Sequence, residues 1–258
     1  MKETRLIMGM PIEIEIVPAA GRDERATLEA AFASLVAVDE RFSTYKEGSE
    51  ISRINRGEIA AAEASDEMRE IFALAEQTKQ ETDGYFDIRR PDSVVVSGTI
   101  GPLDPSGVVK GWAIKNAAAL VRAAGFEHFF INAGGDIATS GANERGEPWS
   151  VGIRNPFKRE EIVKVVYPKG RGIATSGSYV RGAHVYDPHA PERELKDIVS
   201  LTIIGPDVLE ADRFATAAFA MGKAGIAFIE RLKDFEGYAI DASGIATMTS
   251  GFRAYTEP

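Results

Sequence analysis

The chain contains no cysteine and only three histidines among its 258 residues. The absence of cysteine excludes disulfide bonds, thiolate zinc sites, a cysteine nucleophile and a lipid-anchored cysteine. Because histidine is the side chain that most easily titrates near neutral pH, candidates for a general base are few. The sequence also lacks a run of about 18 apolar residues that could cross a membrane, and its start has no apolar stretch of signal-peptide type. We therefore expect a cytoplasmic protein without a membrane anchor.

Basic residues are outnumbered by acidic ones, 30 to 39, and the formal net charge is −9. We expect no binding to nucleic acid or to an anionic membrane, since both need a basic surface. An acidic chain that holds a phosphate group needs local backbone N–H groups, a lysine or arginine, or a divalent cation. Its contents of 44% hydrophobic and 27% charged residues are those of a globular protein.

Hydrophobic periodicity predicts strands and helices in an irregular order. Ile12, Ile14 and Ile16 alternate with glutamates, which indicates a half-buried strand. Periodicity of the same kind predicts strands at 128–132, 149–153, 162–166, 172–175 and 200–204. It predicts helices at 24–41, 66–82 and around 212. The end of the chain is predicted to form a β-meander of 238–241, 245–249 and 252–255. This mixed order favours an α+β fold over a doubly wound sheet. The dinucleotide fingerprint G-x-G-x-x-G is missing, so a Rossmann fold is not expected.

One helical turn near the end of the chain combines two oxygen donors. Asp212 and Thr216 are four residues apart, which places a carboxylate and a hydroxyl on the same face of a helix. Such hard oxygen donors suit Mg²⁺ or Ca²⁺, and the alanines around them leave room for a second backbone. In the alternative interpretation this is an alanine-rich core helix, Asp212 is its N-cap and Thr216 bonds back to a carbonyl.

A second candidate site lies at the start of a predicted helix. Ser106, Gly107 and Lys110 occupy its first turn, where free N–H groups, the helix dipole and an ammonium group together favour an anion. The alternative is an ordinary helix, capped by Asp104 or Ser106, with Lys110 as a surface residue.

Two glycine-containing turns follow predicted strands. Gly134 and Gly135 would let the backbone approach a ligand closely, and Asp136 adds a carboxylate. The alternative is a tight turn with an Asx hydrogen bond. Further along, Thr175 and Ser176 offer hydroxyl groups in a second turn.

Among the histidines, His184 is the candidate base, because the nearby carboxylate of Asp187 could orient it. His128, in an apolar segment, is expected to have a structural role, and His189 is expected at the surface. Ser176, His184 and Asp187 could form a hydrolase triad, but the G-x-S-x-G elbow is missing and this interpretation is disfavoured.

Eight short segments together resemble the motifs of the ApbE family, the FAD:protein FMN transferases, in the same order along the chain. The matching segments are Met8-Gly9-Met10 (family M-G-T), 42–45 with 49–55 (S-x-Y and S-E-I-S-x-x-N), 84–87 (G-x-F-D), 104–111 (D-x-S-x-x-x-K-G), 134–136 (G-G-D), 175–177 (T-S-G), 184–188 (H-x-x-D-P) and 211–216 (A-D-x-x-A-T). The chain departs from the family at Met10, where threonine is usual, and in a shorter segment between Asp87 and Asp104.

The resemblance implies one α+β domain over residues 1–258, with mixed, largely antiparallel sheets, packed helices and a deep nucleotide cleft. By the same resemblance, Mg²⁺ or Ca²⁺ would be held by the Asp212 carboxylate, the Thr216 hydroxyl and the Gly107 carbonyl. The implied FAD contacts are Met8, Tyr45, Tyr85, Phe86, Asp87, Lys110, Gly135, Asp136, Thr175 and His184.

The reaction implied by the resemblance is transfer of FMN from FAD to a threonine hydroxyl of an acceptor flavoprotein, with release of AMP. Asp212 would act through the metal and His184 would take the hydroxyl proton. Two alternatives use the same cleft: a metal-dependent FAD pyrophosphatase that gives FMN and AMP, and a protein that binds FAD without turnover.

Overall fold

The computed structural model describes residues 1–89, 102–158, 160–177, 185–192 and 194–258. Its ten strands are β1 (Lys2–Ile7), β2 (Met10–Ile16), β3 (Phe129–Ala133), β4 (Asp136–Ser140), β5 (Val151–Arg154), β6 (Ile162–Val166), β7 (Gly172–Gly177), β8 (Ile198–Gly205), β9 (Glu236–Asp241) and β10 (Ala246–Met248). Eight of them form one sheet in the order β1-β2-β3-β4-β7-β8-β9-β10, and its pairings are all antiparallel. Strands β5 and β6 form a separate hairpin.

The helices in the described part of the chain are α1 (Glu24–Phe42), α2 (Glu50–Asn55), α3 (Asp66–Glu81), α4 (Ser106–Ala123), α5 (Val208–Ala220) and α6 (Ala224–Glu230). Asp23, Ser49, Ser65 and Asp207 each accept a backbone N–H at a helix start, so these polar side chains define where α1, α2, α3 and α5 begin. None of these helices is long and apolar enough to cross a bilayer.

The two faces of the sheet are covered by different layers. On one face, Ile12, Ile14 and Ile16 of β2 are fully buried in a core that includes residues of α1 and α4. On the other face, the β5–β6 hairpin covers strands β4, β7, β8 and β9 with a smaller apolar core. Alternation along β4, β7, β8 and β9 therefore sends one set of side chains to the helices and the other set to the hairpin.

Most of the predicted elements are confirmed, and so is the α+β class. The third strand of the predicted meander is wrong, because Phe252–Tyr255 forms a short 3-10 helix. The Phe252 ring is fully buried and stacks on Tyr238 at a centroid distance of 5.3 Å. A tight turn after β10 brings this ring beneath the sheet, which an extended strand would not do. Strand β4 was not predicted, because its glycine-rich start was interpreted only as a break.

We expect Gly111→Ala to destabilise the protein, because α4 and α5 touch where this residue lies. A Cβ atom at Gly111 would lie 2.8 Å from the Leu209 Cα and 3.0 Å from the Val208 carbonyl oxygen. Overpacking of this kind costs about 1–3 kcal/mol, which exceeds the helix-propensity gain of about 1 kcal/mol for replacing glycine by alanine. Urea unfolding measures the change.

The matched control for this substitution is Gly48→Ala. An added Cβ at Gly48 would meet no atom within 4 Å. We expect this variant to stay within about 0.5 kcal/mol of the wild type. Equal free energies of unfolding for the Gly111→Ala variant and this control would contradict the tight contact.

Candidate active site at the contact of two helices

Helices α4 and α5 approach each other closely through two glycines of α4. A Cβ atom added to Gly111 would lie 2.8 Å from the Cβ of Asp212, and one added to Gly107 would lie 3.4 Å from Cγ2 of Thr216. The two glycines are four residues apart on α4, and their partners Asp212 and Thr216 are four residues apart on α5. The helices therefore lie side by side over a full turn. The sequence-predicted donors Gly107, Asp212 and Thr216 are thus brought together.

A buried cluster of one lysine and two aspartates, here called the acid–lysine centre, lies at this contact. The Lys110 Nζ is 2.5 Å from Asp136 Oδ2 and 3.6 Å from Asp212 Oδ1. The Gly111 amide donates to Asp212 Oδ2 at 2.8 Å, and the Thr175 amide donates to Asp136 Oδ1 at 3.1 Å. The centre therefore joins α4, α5, β4 and β7.

Burial raises the pKa of Asp212 to about 7, well above its ordinary value of 3.8. The nearby Lys110 ammonium opposes this change in pKa, whereas the Asp136 carboxylate adds to it. Two carboxylates share one ammonium group in a place with little water, since only 3% of Asp212 is exposed. An additional cation would favour the ionised form of Asp212.

The alternative interpretations of these residues are only partly correct. The N-cap of α5 is Asp207, whose side chain accepts the Glu210 amide at 3.0 Å, so the proposed capping role of Asp212 is wrong. The hydroxyl of Thr216 does donate to the Asp212 carbonyl at 3.3 Å, as that interpretation expected. Lys110 is not a surface lysine, because it is 21% exposed and paired with buried carboxylates.

The G-G-D segment forms a two-residue turn between β3 and β4. Gly134 and Gly135 have φ values of 61° and 104°, which L-residues with side chains rarely adopt. The Gly135 amide donates to the Asn132 side chain at 2.9 Å. The tight turn is therefore present, and it also places Asp136 at the first position of β4, where its side chain reaches Lys110.

The chemistry of the donors fits a hard divalent cation. Asp136 Oδ2 is buried and receives no aligned hydrogen bond from any described residue, although Lys110 is in ionic contact with it. The Asp212 carboxylate, the Thr216 hydroxyl and the Gly107 carbonyl lie on the facing turns of α4 and α5. Among the described residues, no three His, Cys, Asp or Glu side chains are placed so that they could together hold a metal ion, so neutral oxygens would have to complete such a site.

A cavity of about 360 Å³ opens beside the start of α4. It is lined by Met8 and its neighbours, by the loop from Phe42 to Lys46, and by Lys110. Tyr45 is 97% exposed at the mouth of this cavity, and Met8 has a left-handed backbone with φ of 54°. Three of the predicted FAD contacts, Met8, Tyr45 and Lys110, therefore share one concave surface that reaches the acid–lysine centre.

The predicted FAD contacts 85–87 follow the end of α3. Phe86 is buried, and its Cε2 is 2.8 Å from the position of a Cβ on Gly107. The Tyr85 ring packs edge-on against His189, with a centroid distance of 4.6 Å. The Asp87 carboxylate is paired with Lys79 at 2.5 Å. Phe86 thus lies against the metal-ligand candidate, whereas Asp87 is held by a lysine of α3.

Gly135 and Thr175 line a second cavity, of about 600 Å³, on the hairpin side of the sheet. The Thr175 hydroxyl lies 2.9 Å from that of Thr202 in the same cavity. Because the Thr175 amide bonds to Asp136, this cavity is linked through the sheet to the acid–lysine centre.

His184 lies outside the described residues, so its predicted role stays a prediction, as does the hydrolase triad that would include it. The described Asp187 accepts the amide of His189 at 2.9 Å. His128 has the expected structural role, because its Nδ1 accepts the Ala142 amide at 2.9 Å. His189 is exposed, as expected, and its Nε2 lies 2.9 Å from the Asp83 carbonyl.

Part of the S-E-I-S-x-x-N segment positions other chain segments. The Asn55 side chain bonds to both the carbonyl and the amide of Leu103, at 2.9 and 2.8 Å. The hydroxyls of Ser49 and Ser52 both donate to the Ser43 carbonyl.

Arg213, which is 4% exposed beside Asp212, was not among the candidate residues found from the sequence. The signal was available, since a charged residue interrupts an alanine-rich helix.

Comparison with known proteins identifies the family. The sequence model of the ApbE family matches residues 8–98 and 92–239, and the chain therefore belongs to this family. An FAD:protein FMN transferase of Klebsiella pneumoniae (strain 342) is 29% identical over 209 residues, which are 78% of this chain and 55% of that protein. The FAD:protein FMN transferase of Escherichia coli (strain K12) is 30% identical over 198 residues, 72% and 54% of the two chains.

The fold is that of solved ApbE structures. The flavin transferase ApbE from Vibrio cholerae superposes with a TM-score of 0.84 at 23% identity, over 99% of this chain and 98% of that one. The chain spans about half the length of the two curated relatives above.

The raised pKa of Asp212 predicts a loss of stability as pH rises. Between its ordinary pKa of 3.8 and its folded value of about 7, the native state binds the proton more tightly than the unfolded state. The free energy of unfolding contributed by this group therefore falls across that window. We expect Asp212→Asn to weaken this fall, as measured by Tm at pH 5 and pH 8 without divalent ions.

If Asp212 holds a cation, as the family resemblance implies, added Mg²⁺ should raise the Tm of the wild type at pH 8 by binding the ionised carboxylate. The same addition should leave the Tm of the Asp212→Asn variant nearly unchanged. Identical pH and Mg²⁺ responses in the two proteins would show that Asp212 does not carry the effect.

Proposed function

We propose that this chain is a divalent-cation-dependent FAD:protein FMN transferase. It would transfer FMN from FAD to a threonine hydroxyl of an acceptor flavoprotein and release AMP. The observation that supports this most directly is the acid–lysine centre, which lies in a member of the ApbE family beside the predicted metal donors. We also propose that residues 1–258 form one domain, because the sheet takes strands from both ends of the chain. The cytoplasmic location stays a prediction from the sequence.

The residues around the centre would bind the diphosphate of FAD. The Lys110 ammonium reaches the cavity beside α4 and could contact phosphoryl oxygens, and the first turn of α4 adds its positive dipole end. Asp212, Thr216 and Gly107 would hold the cation. When bound, it would supply positive charge that stabilises the transferring phosphoryl group. An acidic protein can thus hold a polyanion at one point.

The transfer exchanges a phosphoanhydride bond of FAD for a phosphoester bond to the acceptor. The acceptor threonine oxygen forms a bond to the FMN phosphorus, and the bond from that phosphorus to the bridging oxygen breaks. The bond electrons leave with the oxygen of AMP, while the threonine proton passes to a base. We propose an imidazole nitrogen of His184 as that base.

Three outcomes separate the transferase from the two alternatives. FAD and Mg²⁺ are incubated with the protein, with and without a threonine-bearing acceptor peptide. Flavin-labelled peptide in the mass spectrum would support the transferase. AMP formed equally without acceptor would instead support the pyrophosphatase, and tight FAD binding with no AMP would support a binding protein.

Asp212→Ala should abolish AMP release while the protein stays folded, because the variant loses the proposed charged metal ligand. Chromatographic detection of AMP measures turnover, and circular dichroism checks the fold. Wild-type AMP release by this variant would remove Asp212 from the metal site.

His184→Ala should slow transfer by roughly 10²–10⁴-fold, the usual contribution of a general base. The matched control is His128→Ala, because His128 is exposed and, among the described contacts, its side chain hydrogen-bonds only to a loop amide. We expect the control to transfer at the wild-type rate. If both variants keep the wild-type rate, His184 is not the base.

A further inference from the structure

A buried arginine joins α5 to α3 directly beside Asp212. The Arg213 guanidinium donates to Glu210 of its own helix through Nε and Nη2, at 3.1 and 2.7 Å. Through Nη1 it donates to Thr78 Oγ1 at 3.2 Å and to the Glu81 carboxylate. Arg213 therefore has one acidic partner on α5 and one on α3.

The contacts continue from α3 to the loop that follows it. The Thr82 hydroxyl donates to the Thr78 carbonyl at 2.7 Å and accepts the Phe86 amide at 3.2 Å. The Phe86 ring in turn lies against Gly107. Arg213 is thus connected through two threonines to the residue that packs on a predicted metal ligand.

This chain of contacts closes on α5, where it began. Gly107 lies against Thr216, which is three residues after Arg213 on the same helix. The ring therefore runs from α5 to α3, to the loop at Phe86, to the start of α4, and back to α5. The two α5 residues in this closed chain of contacts, Arg213 and Thr216, are on neighbouring turns. A shift of α3 would therefore change the space between Gly107 and Thr216.

We propose that Arg213 is a positioning residue that sets the spacing of the metal donors. Its contacts with Thr78 and Glu81 hold the end of α3, and thereby Phe86, at a fixed distance from Gly107. The proposal rests on the proposed function, because it assumes that Gly107, Asp212 and Thr216 hold the cation.

The chemistry of the bridge favours positioning over simple stabilisation. A buried ion pair is often no more stabilising than apolar residues of similar volume, because two charges lose their hydration. A planar guanidinium with several N–H donors, however, fixes direction as well as distance. Arg213 uses this property, since its donors address two helices at once.

The bridge offers a matched pair of substitutions. Glu81→Gln weakens the contact between α5 and α3, whereas Glu210→Gln weakens a contact within α5. Each removes one carboxylate from the same guanidinium. Mn²⁺ binding to the full chain, followed by electron paramagnetic resonance without FAD, is measured together with Tm and with the kcat and KM of FAD turnover.

We expect Glu81→Gln to weaken Mn²⁺ binding by about tenfold or more, the size of effect seen when partners of metal ligands are removed. Glu210→Gln should keep the wild-type Kd for Mn²⁺, although its Tm falls. Equal Kd values for both variants and the wild type, with lower Tm, would overturn the proposal and leave Arg213 a structural residue.

A second test avoids changing the charge of the bridge. Thr82→Val keeps the shape of the side chain but removes the hydroxyl that bonds to the Phe86 amide. We expect a weaker Mn²⁺ affinity here too, and an unchanged affinity would overturn the proposed link. If the wild type itself binds no Mn²⁺, the proposed function fails. If the wild type binds Mn²⁺ and the variants bind it with the same affinity, the positioning role alone fails.

Discussion

The close contact between α4 and α5 is the constraint on which the candidate site depends. Two positions of α4 have no side chain, so α5 can approach until Asp212 accepts a backbone amide of the facing helix at 2.8 Å. At that separation a carboxylate, a hydroxyl and a carbonyl lie on adjoining turns. A larger residue at Gly111 would meet the backbone of α5, and the donors would separate.

Electrostatics explains why this contact is suited to a charged ligand. Two buried carboxylates with one ammonium group have a residual negative charge, which burial makes unfavourable and which raises the pKa of Asp212. Under the proposed function a bound cation would relieve this and would attract a diphosphate into a chain whose net charge is −9.

Several of the motifs act by placing other segments. Asn55 clamps Leu103 just before α4, and Ser49 and Ser52 hold the turn that carries Tyr45. The Gly134–Gly135 turn directs Asp136 towards Lys110. Such residues form a scaffold around the centre, and their motif spacing follows from hydrogen bonds that each makes to backbone groups.

Local patterns in the sequence determined most helices and strands, the α+β class and the placing of Asp212 and Thr216 on one helix face, because periodicity and spacing along one element are local properties. They also identified Lys110 and Asp136 as separate candidates. Only the tertiary structure decided that these residues meet and that Phe252 turns beneath the sheet. These outcomes depend on contacts between segments far apart in the chain, and the burial that raises the pKa of Asp212 exists only once those segments have packed.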